Sequence, residues 1–153
     1  PVTRRLALAT VAALYVQIVL GALLTHEGWI APHLAGAALV FVVAPMATAR
    51  VRRSGDAVAA PVARALLALL ALQGALGVAA YLARFSPIWI PGEQFTILAA
   101  PVAHRTVGAL LLALAVVQAL RVSGAPAGRP LRTPAPPAHA FLSGAAGAAL
   151  DER

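Results

Sequence analysis

Four long apolar runs, at residues 6–25, 31–49, 62–83 and 98–120, are separated by short polar interruptions along this chain. Each run is close to the length a helix needs to cross about 30 Å of hydrocarbon at 1.5 Å per residue. Alanine and leucine dominate all four, and both are good helix formers. In lipid every backbone N–H and C=O must be paired within the segment, so the runs are expected to be helices. Pro32 suits the first turn of the second run, where its missing N–H costs nothing, and Pro45 is expected to kink that helix near its far end. The pattern predicts an all-α fold: an integral membrane four-helix bundle made of two helical hairpins related by a pseudo-two-fold axis.

Composition points the same way. Of the 153 residues 61% are hydrophobic, the mean hydropathy is +0.85 and only 11% are charged, against about 25% in an average soluble domain. Cysteine is absent, which excludes a disulfide framework, a thiolate metal site and thioether attachment of haem. The net charge of +7 would point to nucleic acid in a soluble protein, but its distribution gives a different reading. Arg4, Arg5, Arg50, Arg52, Arg53, Arg64, Arg121, Arg129, Arg132 and Arg153 flank one end of the four runs, and only Arg84 and Arg105 flank the other. The bias of positive charge toward the cytoplasm then puts both termini and the middle loop on that side, in a bacterial or archaeal inner membrane. The partner implied is the lipid bilayer, and nucleic acid is not one.

The first run follows Arg4 and Arg5 as a signal peptide would, but it is too long for a secretory core and THEGW (25–29) is a poor cleavage site. It reads as a retained span. From residue 123 onward the chain is rich in Pro, Ala and Gly. The expected division is therefore a four-span domain, 1–122, and a disordered tail, 123–153, with His139 a solvated tail residue. His26 and Glu27 read as a polar turn with Trp29 as interfacial anchor. The second loop, RFSPIWIPGEQFTI (84–97), with Trp89 and Phe95, is expected to lie along the interface.

The two hairpins repeat a plan. QIVLG (17–21) precedes a short loop and PHLAGA (32–37), and QGALG (73–77) precedes a longer loop and AHRTVGA (103–109). Each outgoing helix carries Gln-x-x-x-Gly, and each return helix carries a histidine, His33 or His104, followed one turn later by Gly36 or Gly108. Gln17, Gly21 and Thr25 form one i, i+4, i+8 stripe, and Gln73, Gly77 and Tyr81 another. Small residues on such stripes let helices, or a flat ligand, approach the backbone closely. An intramembrane histidine can serve only to hydrogen-bond a neighbouring helix. Two at matching depth can instead face each other across a bundle, which is what bis-histidine ligation of one haem iron requires. Gly36 and Gly108 would clear space beside the ring. Arg105 and Arg84 are candidates to pair with haem propionates, since guanidinium matches carboxylate, although both could equally snorkel to water.

These motifs resemble the haem A synthase family, membrane enzymes that oxidise a methyl group of haem O for cytochrome oxidase. QIVLGALLT (17–25) with PHLAGA resembles one family motif, and AHRTVG (103–108) resembles its His-Arg motif; the similarity covers about residues 6–120. The resemblance implies a four-helix unit in which His33 and His104 are the haem ligands. This chain departs from the family in four ways. It has half the usual size, its hairpins run in the opposite order, and Pro101 stands where the family's substrate half has a glutamate three residues before the histidine. The family's external cysteine pair is also absent. The expectation is one haem b per chain, serving haem A biosynthesis, oxidase assembly or membrane electron transfer, with a homodimer or a respiratory membrane partner possible. A half-size homodimeric synthase and a cofactor-free scaffold are the alternatives, so the catalytic assignment stays open.

Overall fold

A computed structural model of the chain describes residues 2–87 and 92–124. Trp89, His139, Arg129, Arg132, Arg153 and the tail beyond residue 124 lie outside the described residues. Among the described residues all of the regular structure is helical: α1 Val2–Glu27, α2 Ile30–Arg53, α3 Ala59–Phe85 and α4 Glu93–Gly124. All four helices are long and apolar enough to cross a membrane, so the chain is a multi-pass membrane protein.

Every helix outruns the apolar run that predicted it, because helical hydrogen bonding continues into the polar ends until a cap or a turn stops it. α1 takes in Arg4 and Arg5 at one end and His26 and Glu27 at the other. It stops at Gly28, which has φ +71°, a left-handed conformation that favours glycine, and whose N–H donates to the Leu24 carbonyl. Only Gly28 and Trp29 then separate α1 from α2, and Pro32 sits in the first turn of α2 as expected. α4 begins at Glu93, earlier than the apolar run beginning at residue 98, so Pro101 lies inside the helix. Glu93, Phe95 and Ile97, expected in an interfacial loop, are in its first turns. At its other end α4 runs to Gly124, two residues past the expected domain boundary. The α2–α3 turn is tied by Asp56, whose Oδ1 accepts the N–H groups of Val58 (2.9 Å) and Ala59 (3.0 Å). Those two bonds, Ala59 first, hold its carboxyl below the usual carboxylate range, with the Arg121 guanidinium adding to the effect.

α1 packs on α2 and α4, and α3 packs on α4 and α2, with the α2–α3 seam the least extensive. The helices therefore form a closed ring in which α2 and α4 stand diagonally opposite. Packing is uneven along the ring's axis. At the end where α1 begins and α4 finishes, Leu14, Val40, Ala44, Leu66, Leu70, Leu111 and Ala115 form a buried layer, and Val51, Ala59 and Ala63 form a second beneath it. Thr10, Thr48 and Gln118, all buried, lie along the same stretch of helix as these layers. The two threonines donate to carbonyls of their own helices, Leu6, and Ala44 and Pro45, which is how a hydroxyl is tolerated in an apolar core. Toward the opposite end, among the described residues of 15–27, 30–39, 71–85 and 93–107, only Ala100 is buried. Large side chains such as Phe41, Val42, Leu72 and Val78 face outward on all sides, the pattern of a bundle solvated by lipid.

Candidate functional site

The loosely packed half of the ring holds both histidines. His33 lies in the first turns of α2 and His104 in the middle of α4, on diagonally opposite helices. Their rings meet across the interior, with centroids 6.4 Å apart and planes at 71°. Both are half-buried.

Each ring is bounded by the helix that precedes its own in the chain. A Cβ at Gly21 on α1 would lie 3.4 Å from His33 Cε1, and one at Gly77 on α3 would lie 3.2 Å from His104 Cε1. The glycines of the Gln-x-x-x-Gly stripes are therefore the surfaces on which the imidazoles rest. The glutamine amides lie against the ring nitrogens. Gln17 Nε2 is 3.2 Å from Nδ1 and 3.4 Å from Nε2 of His33, and it donates to the His33 carbonyl at 2.9 Å. Gln73 Nε2 is 3.3 Å from His104 Nε2. Behind the amides stand the glycines that follow the histidines. A Cβ at Gly36 would collide with Gln17 Oε1, and one at Gly108 would come within 3.2 Å of Gln73 Nε2.

Sequence reading placed His33, His104, Gly36 and Gly108 at one site, and the structure brings them together there. It assigned Gly36 and Gly108 to room beside the histidine; they make room for the glutamine amide instead. It missed the glutamines as partners of the rings, reading their stripes as packing faces. The available signal was chemical: an amide side chain inside an apolar span needs a hydrogen-bonding partner, and each hairpin offers a histidine at matching depth. Arg84, in the last turn of α3, and Arg105 are both exposed. Position 105 is about 100° around the helix from position 104, so the guanidinium points away from the ring–ring axis. His26 and Glu27 close α1 as exposed residues.

Three polar atoms at the site are buried without a hydrogen-bond partner among the described residues: Gln17 Oε1, Gln73 Oε1 and His104 Nδ1. Such atoms are costly unless a ligand or solvent satisfies them. The donor set also constrains the occupant. No group of three or more His, Asp or Glu side chains gathers anywhere among the described residues, so a bare ion that needs three or four protein ligands is poorly served. Two opposed imidazoles are what a macrocycle with its own four nitrogens requires. Comparison with protein-family models, with curated proteins and with solved structures gave no match.

Proposed function

We propose that this protein holds one b-type haem between His33 and His104 and carries electrons in the membrane. The ring separation is the observation that supports it. An imidazole nitrogen binds a first-row metal at about 2.0 Å and lies about 1.2 Å from the centre of its own ring, so imidazoles on opposite sides of one ion have centroids about 6.4 Å apart. The observed separation is 6.4 Å. Glycines at 21 and 77 let each imidazole lie close against the backbone of the neighbouring helix. The repetition of Gln, Gly and His contacts in both hairpins supports a pseudo-two-fold arrangement of the hairpins about this site.

A haem with two histidine ligands supplies a one-electron couple and leaves no open position on iron, which favours electron transfer over oxygen activation. The chain's own residues contribute orientation. The glycines set the depth of each ring, and the amides limit its rotation. Pro101 stands one turn before His104 where the resembling enzymes have a glutamate, so that glutamate has no counterpart at this position. The likeness to the haem A synthase family therefore supports a haem-binding unit of haem A biosynthesis or oxidase assembly more than it supports the oxidation itself. The arginine-rich end of the bundle, with Arg50, Arg52, Arg53, Arg64 and Arg121, would face the cytoplasm with both termini, leaving the haem near the external leaflet.

A reduced-minus-oxidised spectrum of the detergent-purified protein tests the proposal. Soret and α bands of a six-coordinate b-type haem are expected after expression with ample haem, and they should be lost in His33→Ala and His104→Ala. Absent bands in the unmodified protein, or bands that survive both substitutions, would remove it.

A further inference from the structure

We infer that Gln17 and Gln73 are the positioning residues of the site, each holding one imidazole through an amide set against its ring nitrogens so that the two rings stay opposed; this rests on the haem reading for its consequences in the loaded protein. Three observations carry it. First, the contact occurs twice, on different helices: Gln17 Nε2 with the His33 ring at 3.2 Å and Gln73 Nε2 with His104 Nε2 at 3.3 Å. Second, the amides are fixed in place. Gln17 also donates to the His33 backbone carbonyl at 2.9 Å, which ties its NH2 group to α2. Gly36 and Gly108 leave each amide the room that a β-carbon would take. Third, the carbonyl oxygens of both amides are buried without a partner. That cost is accepted at two equivalent places, which is hard to reconcile with side chains that serve only to pack helices, since leucine would pack without it.

The physical role follows from the side-chain torsions of histidine. A ring fixed to its helix only through Cβ can swing about two torsions, and a swing of a few tenths of an ångström at the nitrogen spoils a metal bond. An amide N–H aimed at a ring nitrogen removes that freedom and leaves the proton on the other nitrogen. With iron bound to that lone pair, the amide oxygen, buried without a partner among the described residues, would have to turn to the remaining ring N–H. The Gln17 amide lies 3.2 and 3.4 Å from the two nitrogens of His33, against the face of that ring, whereas at His104 the amide reaches Nε2, and Nδ1 is buried without a hydrogen-bond partner among the described residues. The two ligands would thus differ in their surroundings although the hairpins share one plan.

The experiment compares Gln17→Leu and Gln73→Leu, which keep the bulk and remove the amide, with Gly36→Ala, which keeps the amide and pushes it aside. In detergent-solubilised full-length protein, haem affinity is expected to fall 10–100-fold in each variant, the usual effect of losing a partner of a metal-bound histidine. The low-spin ferric EPR spectrum should also broaden as the ring planes lose their fixed angle. Wild-type affinity and an unchanged EPR spectrum in both leucine variants would overturn the assignment. A readout independent of haem separates this from failure of the haem reading. Imidazole 15N shifts of the apo protein should report one dominant tautomer at His104 in the wild type and averaging in Gln73→Leu. If the wild type binds no haem but this change is seen, the positioning role stands and the haem proposal falls. If neither the shifts nor the affinity respond, the positioning role falls.

Discussion

Gly21 and Gly77 occupy matching places in the two hairpins, yet the geometry predicts that alanine is tolerated at one and harmful at the other. A methyl at Gly21 would sit 3.4 Å from His33 Cε1 and 3.7 Å from Nδ1, at the near edge of ordinary carbon contact, about 3.5–4.0 Å. A methyl at Gly77 would sit 3.2 Å from His104 Cε1 and 3.6 Å from Nδ1, so the ring must retreat by roughly 0.3 Å to relieve the contact. Metal–nitrogen bonds tolerate only about 0.2 Å, and the ring cannot retreat freely while Gln73 holds its other edge. Overpacking of this kind costs about 1–3 kcal/mol, which converts to a loss of roughly 5- to 150-fold in haem affinity for Gly77→Ala. Gly21→Ala should stay within a factor of about two of wild type. The assay is a haem titration of each apo variant in detergent, followed at the Soret band. Replacing a mid-helix glycine by alanine favours the helix by about 1 kcal/mol, so thermal stability of the apo variants should hold or rise while affinity falls in one of them. Equal losses in both variants, or titrations of Gly77→Ala that match wild type, would refute the reasoning from ring contact.

Three further outcomes are expected. Gln118 is 1% exposed and its Oε1 lacks a partner, so Gln118→Met should raise the unfolding midpoint in detergent by an amount equivalent to about 1 kcal/mol; a lowered midpoint would mean that the amide holds the helices together. Asp56 has its carboxyl pKa depressed by the N–H groups it caps, so its contribution is present above the unfolded carboxylate pKa and is lost as pH falls through the lower folded value. Protection of the Val58 and Ala59 amides against hydrogen exchange should decline over that acid range in the wild type and be low at every pH in Asp56→Ala. The chain has no cysteine, so single replacements can be labelled alone. An impermeant maleimide added to intact cells should reach His26→Cys but not Ser54→Cys, and the opposite pattern would invert the topology.

The number and type of elements were legible because length and hydropathy alone decide them: a run of about twenty apolar residues has few options other than a spanning helix. Their ends were not, since Arg4, Glu27 and Glu93 continue helices whose hydrogen bonding does not stop where hydrophobicity does. The pairing of His33 with His104 could be read from matching motif positions. What could not be read is the rotation of each helix about its axis, which decides whether a side chain faces its own hairpin, the diagonal helix or lipid. That rotation turns Gly36 toward Gln17 rather than toward an open space, and it sends Arg105 outward while His104 faces in.

The uneven packing of the ring has an energetic meaning for the site. Leu66 and Leu111 are almost fully buried in the half where α1 begins and α4 finishes, where dispersion contacts among leucine, valine and alanine hold the helices together. The opposite half gives up that packing for two imidazoles, two amides and four glycines, and gains only hydrogen bonds that in membranes average below about 1 kcal/mol each. Local opening of the bundle should therefore be concentrated at the histidine end, and the apo site is held by its anchored half rather than by its own contacts. A ligand that binds only the closed form would contribute the missing stability, about 2.7 kcal/mol at a concentration one hundred times its dissociation constant. On this view the poorly packed half and the opposed histidines are one feature: residues that would have packed the interior are replaced there by polar groups that a bound ligand would satisfy.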